Sequence, residues 1–165
     1  MISFLGPRPA TAPASSKEKF HSAYPGGLVD HSLRVLQNTK LLNTSFKFGL
    51  PNESMIIAAL FHDFGKVGDL VGDLYLPQDN AWRKENLGET YIFNTTIQQM
   101  PNAERGLWLL QHFDVKLSME EWIAIRTNDG QYDESNRRSY GMHEPILALL
   151  VHMADRLACE QEKNM

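Results

Sequence analysis

The sequence predicts an all-α fold, an orthogonally packed bundle of helices. Three observations favour it: apolar residues recur at helical spacing, one segment before residue 64 is apolar nearly all round, and one helix start carries a capping-box pattern. The chain has 165 residues and a mass of 18.8 kDa, which suits one domain. Hydrophobic residues make up 42% and charged residues 22%, a balance typical of globular proteins.

The first half of the chain predicts two core helices behind an irregular start. Residues 1–16 are rich in Pro, Ala and Ser and predict a flexible arm, so the single domain is assigned to residues 17–165, with a short helical turn around 17–23. Leu28, Val35 and Leu42 recur at helical spacing and predict a helix from residue 28 to about residue 43. Asn52 suits the N-cap of a second, buried helix that extends to Phe64.

The second half predicts an irregular insert followed by three helices. Glycines and a proline interrupt the periodicity between residues 65 and 100, where residues 74–76 and 91–93 are interpreted as two short strands that could pair as a hairpin. Helices are predicted over residues 103–113, from the capping box of Ser118 and Glu121 to about residue 127, and from residue 146 to about residue 161. Residues 130–143 are predicted to form a polar loop.

The net charge argues against long nucleic acid and anionic membranes as partners. The formal net charge is −4 and the pI is about 5.8, so the chain has no overall positive field for long nucleic acid or an anionic membrane. The sequence contains no run of about 18 apolar residues, so no membrane span is predicted. Cys159 stands alone and forms no internal disulfide, as expected of a cytoplasmic protein. Association into a homo-oligomer is left open.

Three predicted helices each carry a potential metal ligand among apolar neighbours. His31 follows Leu28 on the core-facing stripe of its helix, His62 and Asp63 end the next helix, and Asp155 shares a stripe with apolar residues of the last one. A buried carboxylate is costly without a cation or strong hydrogen bonds. Together the four side chains suit one divalent ion. The alternative is a packed core histidine and an aspartate that caps a helix or pairs with a cation.

Three stretches of the chain carry a resemblance to a known family. Residues 25–33, 61–66 and 152–158 contain, in order, His31, the pair His62-Asp63, and Asp155. They resemble the HD-domain metal-dependent phosphohydrolase superfamily, whose pattern is H…HD…D, over residues 20–160. The chain is similar to short stand-alone HD proteins of bacteriophages and bacteria, which implies location in the cytoplasm of a bacterium or of a phage's host. The resemblance implies a bundle of about five core helices, and it implies that these four residues bind the metal.

Two departures from the family pattern bear on the number of metal ions and on the branch of the family. Family members with two metals supply extra histidines, where this chain has Thr127 and Asn128, so a single ion is expected. Lys66 stands where the nucleotidase and phage dATP triphosphohydrolase branch has a glutamate, so membership of that branch is in doubt. The Gly65-Lys66 pair instead resembles the phosphodiesterase members.

Several residues near the predicted ligands are candidates for catalysis. Lys66 suits stabilisation of phosphoryl oxygens, with a solvated lysine at a helix end as the alternative. Asp63 could combine ligation with accepting a proton from water, and Asp69 in the following glycine-rich loop is another acid or base, as is Asp73. His21 could protonate a leaving oxygen or contact phosphate; a surface histidine is the alternative.

The insert between the helices supplies candidate substrate contacts. Trp82 and Tyr91 could stack on a base, and Arg83 could bind phosphate, unless the aromatic residues form a packed minor core. The sequence thus predicts hydrolysis of a nucleotide phosphomonoester or a (deoxy)nucleoside triphosphate through a metal-activated water. The ion would be one of Mn, Fe, Co, Ni, Zn or Mg. The alternatives are a phosphodiesterase acting on cyclic or short linear oligonucleotides, and a weakly active HD module that senses a nucleotide.

Overall fold

The computed structural model describes residues 1–130, 133–141 and 143–163, and α-helices dominate this part of the chain. The helices are α1 (Ile2–Leu5), α2 (Arg8–Thr11), α3 (Gly27–Phe46), α4 (Asn52–Phe61), α5 (Ala81–Leu87), α6 (Asn102–His112), α7 (Met119–Arg126), α8 (Glu134–Ser139) and α9 (Ile146–Lys163). A 3-10 turn covers Phe64–Val67, and the two strands are β1 (Tyr75–Pro77) and β2 (Tyr91–Phe93). The all-α prediction is confirmed.

The long helices α3 and α9 pack against each other, α4 packs against both of them, and α7 packs against α9 and α4. Val35 of α3, Ala59 of α4 and Ala154 of α9 are fully buried in one shared cluster. Small side chains at the contacts let the three helices approach closely. The helices that carry the predicted ligands are therefore held by the core itself.

Two glycines bring α6 against the turn that follows α4. A Cβ on Gly65 would lie 2.0 Å from the carbonyl oxygen of Asn102, and one on Gly106 would lie 3.0 Å from the backbone nitrogen of Gly65. Backbone packs directly on backbone here, which no larger residue would allow. This contact accounts for the early end of α4, which ends at Phe61 and not at Phe64 as predicted, since the chain turns into the 3-10 segment.

The insert contains the hairpin and one helix that the sequence pattern did not predict. β1 and β2 pair antiparallel, with Tyr75 opposite Phe93. The intervening α5 is short and polar, so its apolar periodicity is weak. Its ends are set by Asn80, whose side chain accepts a hydrogen bond from the backbone of Arg83, and by Gly88 in the left-handed region.

The start of the chain corrects the prediction of an arm. Residues 1–16 include α1 and α2, and Leu5 and Ala12 are buried in one cluster with Leu28. The prolines that suggested an arm start a helix, since Pro7 and Pro9 precede and open α2. Around residues 17–23 the structure has one hydrogen-bonded turn, in which the backbone nitrogen of Phe20 donates to the carbonyl oxygen of Lys17, and Lys17 also bridges to Glu89 of the insert.

The C-terminal half follows the sequence pattern closely. The capping box at the start of α7 is present, with Ser118 and Glu121 each bonded to the other's backbone. The predicted polar loop contains α8, which Asp133 caps at its start. Among the described residues, no helix is long and apolar enough to cross a membrane.

Candidate metal centre

Three core helices bring His31, His62, Asp63 and Asp155 to one place. His31 and His62 are fully buried, and Asp63 is 7% exposed. His31 lies in the middle of the buried face of α3, and the His62-Asp63 pair lies where α4 gives way to the 3-10 turn. That break lets two adjacent side chains face one point, although neighbours on a regular helix point about 100° apart. The tertiary fold thus assembles the predicted set.

The ligand atoms of the four residues lie within a few ångströms of one another. His31 Nε2 is 3.0 Å from Asp155 Oδ1 and 3.8 Å from Asp63 Oδ2. His62 Nε2 is 3.5 Å from Asp63 Oδ2 and 3.9 Å from Asp155 Oδ1. Each imidazole nitrogen therefore faces both carboxylates, which is the arrangement expected around a shared cation.

Hydrogen bonds behind the two imidazoles fix which nitrogen faces the centre. His62 Nδ1 donates to the carbonyl oxygen of Ala59 at 2.8 Å, because a carbonyl can only accept. His31 Nδ1 lies 3.1 Å from the Glu162 carboxylate, which also accepts. With the proton held on Nδ1 in both rings, each Nε2 presents a lone pair to the centre when the ring is neutral. Such outer partners orient histidine ligands in metal sites.

The charges at the centre depend strongly on one another. Burial alone would lower the pKa of His31, but the carboxylates of Asp155 and Glu162 raise it to about 9. Burial would raise the pKa of Asp63, but Lys66 and His62 hold it well below its usual range. Likewise, His31 and His62 lower the pKa of Asp155 against the effect of burial. The two aspartates are thus ionised near neutral pH, as ligands must be.

The donor set fits a divalent metal ion. The Nε2 atoms of His31 and His62 are buried and make no well-directed hydrogen bond within the part of the chain that the structure describes. Buried polar atoms rarely lack a partner, so each such atom calls for an explanation. Two imidazole nitrogens and two carboxylates suit Mn, Fe, Co, Ni or Zn better than Ca.

The centre lies at the bottom of an open cavity of about 720 Å³, here called the central cavity. Asp63, Lys66 and Asp155 line it. Lys66 Nζ lies 2.5 Å from Asp63 Oδ2. Despite its burial, Lys66 has a raised pKa because of the Asp63 carboxylate, so it carries a full charge at the wall of the cavity.

His21 also belongs to the central cavity, as one sequence interpretation anticipated. Its ring lies 4.7 Å from that of His31 between centroids, and its Nδ1 lies 3.6 Å from Cys159 Sγ. Burial, with Lys66 and His31 nearby, lowers the pKa of His21 to about 4. His21 is therefore neutral near pH 7.

Asp69, predicted as an acid or base, does not line the central cavity. Its carboxylate accepts hydrogen bonds from the backbone nitrogens of Val71 and Gly72, which fold the glycine-rich loop back on itself. An aspartate at the start of a tight turn commonly plays this part. The structure thus places Asp69 outside the central cavity, and its role as an acid or base stays a prediction.

The predicted substrate contacts in the insert lie apart from the centre. Trp82 is 61% exposed on α5, and Arg83 binds the Glu89 carboxylate at 2.6 Å; neither lines the central cavity. Tyr91 packs beside Tyr75 and lines a separate cavity of about 240 Å³ that also reaches Lys66. Trp82 and Arg83 thus lie on α5 away from the centre, and their contact with substrate stays a prediction.

Sequence reasoning missed Glu162 and Asp129. Glu162 lies seven residues after Asp155, on the same face of α9, and this spacing was a usable signal for its contact with His31. Asp129 lines the central cavity, and burial together with Asp63 raises its pKa. Gly130 beside it has φ +60°, and a Cβ there would lie 2.3 Å from the ring of His152, so this loop packs directly on α9.

Comparison with protein-family models matches the chain to the HD domain over residues 28–159, well over half of its length. No curated protein and no solved structure matches the chain in the corresponding comparisons. HD domains bind divalent metals, and the His and Asp cluster described above lies within the matched range. The chain therefore belongs to the HD-domain metal-dependent phosphohydrolase superfamily.

Proposed function

We propose that the protein hydrolyses a phosphate bond of a nucleotide, with one divalent ion held by His31, His62, Asp63 and Asp155. The observation that carries the proposal is the pair of buried Nε2 atoms that face two ionised carboxylates at the bottom of an open cavity. A purely packed core would not bury two carboxylates and two imidazole nitrogens that lack well-directed hydrogen bonds at this cost.

The ion, when bound, would polarise a phosphoryl oxygen and lower the pKa of water to about 7. The chain's own residues supply the rest. Glu162 and the Ala59 carbonyl hold the two imidazoles in the ligating tautomer. Asp63, ionised and next to the cavity, is also placed to accept a proton from the attacking water.

Lys66 and His21 are the proposed catalytic partners of the ligands. The ammonium of Lys66 at the cavity wall stabilises the negative charge that grows on the phosphoryl oxygens. His21 is neutral near pH 7, so it serves as a hydrogen-bond partner for substrate oxygens and not as a charged acid. Both residues line the same cavity as Asp63 and Asp155, which brings all four side chains to one substrate.

A nucleotide is the proposed substrate because of the family and the size of the cavity. About 720 Å³ lies within the range of roughly 300–1,000 Å³ typical of small-molecule sites. Lys66 and Arg156 on its wall suit an anionic ligand. We favour a phosphomonoester or a nucleoside triphosphate over a diester, since one set of four ligands supports one ion.

The test is hydrolysis by metal-free protein reloaded with Mn, Co, Ni or Zn, measured as release of phosphate or pyrophosphate from nucleotides. We expect turnover in wild type and none in Asp63→Ala, whereas Asp79→Ala, which changes an exposed aspartate in the loop before α5, should behave as wild type. Stoichiometric metal and nucleotide binding with no turnover under any metal would instead identify a sensor. Turnover that survives in Asp63→Ala would refute the proposal.

A further inference from the structure

A second cavity, here called the side cavity, adjoins the central one. Its volume is about 490 Å³, and it shares His21, Lys66, Arg156 and Cys159 with the central cavity. These four shared residues lie where the two cavities meet. A ligand bound at the metal centre would reach the side cavity by passing along them. Its outer wall comes from residues 14–17, from β2 and from the end of α9.

The two cavities differ in charge. Asp63, Asp129, Asp133 and Asp155 line the central cavity. No described aspartate or glutamate lines the side cavity, whose wall carries four cationic side chains: Lys17, Lys66, Arg156 and Lys163. The central cavity therefore suits a metal ion together with the phosphate that reacts there, and the side cavity suits a further anionic group.

The cations of the side cavity are held in place by carboxylates outside its wall. Lys17 Nζ lies 2.8 Å from Glu89, and Arg156 and Lys163 both contact Glu160, at 2.7 and 3.0 Å. Neither glutamate lines the cavity. The pairs orient the positive groups and leave part of their donor capacity for a ligand, since Lys and Arg carry several N–H donors each.

Aromatic side chains complete the side cavity. Phe20 and Phe93 line it and are 46% and 53% exposed, so part of each ring is accessible to a ligand. Phe93 packs against Tyr75, with ring centroids 5.2 Å apart, so this contact helps to fix the position of its ring. An exposed ring beside cations is the combination that stacks on a base next to phosphate.

We propose that the side cavity binds the part of the substrate beyond the reacting phosphate, namely a second phosphate together with a base. This inference rests on the proposed function, because the reacting phosphate must occupy the central cavity. A nucleoside triphosphate and a linear dinucleotide with a 5′-phosphate share this chemistry. A nucleoside monophosphate lacks the second phosphate.

The experiment compares kcat and KM for dATP, pdApdA and dAMP in wild type, Lys163→Glu and Phe93→Ala. Lys163→Glu should raise KM about five-fold or more for dATP and pdApdA and less than about two-fold for dAMP, because reversing one partly screened charge acts on the second phosphate. Phe93→Ala should raise KM about five-fold for all three, through lost stacking. In both variants kcat should stay close to wild type, since neither residue lines the central cavity.

The matched controls are Lys84→Glu and Phe46→Ala, which change an exposed lysine and an exposed phenylalanine outside both cavities. If wild type turns over but Lys163→Glu and Phe93→Ala match these controls, the side cavity does not bind substrate. An equal rise in KM for dAMP and dATP in Lys163→Glu would overturn the second-phosphate assignment. Absence of wild-type turnover on all three substrates would instead count against the proposed function. The substrate with the higher kcat/KM, dATP or pdApdA, shows whether the protein prefers a nucleoside triphosphate or a linear dinucleotide.

Discussion

The central cavity and the side cavity share a wall but are built in different ways. The proposed ligands at the centre come from long helices whose contacts are buried, and His31 and His62 have no exposed surface. The outer wall of the side cavity comes from residues 14–17 and a two-stranded hairpin. They are joined by backbone hydrogen bonds, from the nitrogen of Glu18 to the oxygen of Gly88 and from the nitrogen of Tyr91 to the oxygen of Ser16, and by the Lys17–Glu89 ion pair. The proposed catalytic residues are thus held by the core, and the proposed substrate-binding residues lie on connecting segments, which tolerate sequence change more readily.

Substitutions in the two cavities are expected to have different effects. Changes at the centre should remove the metal or the reaction. Changes at the side cavity should alter KM and leave the reaction itself intact, because its residues bind parts of the substrate that do not react.

Lys66 lines both cavities, so its substitution tests most strongly whether effects on kcat and effects on KM separate between them. Lys66→Met should lower kcat about 100- to 1,000-fold, the size of effect seen when one group that stabilises transition-state charge is removed. Metal content should stay at the wild-type level, because Lys66 is not among the proposed ligands. Steady-state kinetics together with elemental analysis make the measurement.

Two other outcomes for Lys66→Met would be informative. A rise in KM at constant kcat would mean that Lys66 only binds substrate, as the residues of the side cavity are expected to do. Loss of the metal would mean that Lys66 mainly supports Asp63, whose Oδ2 it contacts.

The centre should also make the metal-free protein sensitive to alkaline pH. The pKa of His31 is about 9, above its ordinary value of 6.5, so its stabilising charge is fully present below pH 6.5 and is lost as the pH rises through 9. The free energy of unfolding should fall by about 2–3 kcal/mol between pH 6.5 and 9. Urea unfolding of chelator-treated protein measures it.

Two variants isolate the contribution of His31 to this pH dependence. His31→Gln should remove this part of the decline, and Glu162→Gln should reduce it, since Glu162 helps to raise the His31 pKa. An identical pH profile in wild type and His31→Gln would show that His31 is not charged in the folded protein.

The smallest effect is expected in the insert. Trp82→Ala should change KM and kcat for dATP by less than about two-fold, because Trp82 is exposed on α5 and lines neither cavity. Comparison with Phe93→Ala makes the test sharp, since both changes remove an exposed aromatic ring from the same insert. An effect of Trp82→Ala equal to that of Phe93→Ala would place substrate over α5.

Helical periodicity in the sequence indicates the inward positions of His31 and Asp155 on the long helices α3 and α9, whereas the His62-Asp63 pair lies where the short α4 ends. His31 follows Leu28 by three residues on a stripe that the structure buries, and the capping box at Ser118 is a local pattern that needs no tertiary information. Helix periodicity fixes which residues face the core, so convergence of the ligands could be anticipated.

The substrate side could not be predicted in the same way. Residue type and a place in the insert make Trp82 a candidate, but the direction of its side chain depends on α5, a short polar helix with a weak sequence signal. Phe20 and Phe93 became candidates only when the fold brought residues 14–20 beside β2. Such contacts between distant segments follow from tertiary packing and not from local spacing.

The central claim is that four side chains from three helices hold one metal ion, and metal content tests it most directly. Wild type reloaded with Mn or Co and dialysed should retain about one ion per chain by elemental analysis. Asp155→Ala should retain almost none, whereas Asp129→Ala, which removes another carboxylate of the same cavity, should retain the wild-type amount. One ion per chain in Asp155→Ala, with the variant folded by circular dichroism, would contradict the account.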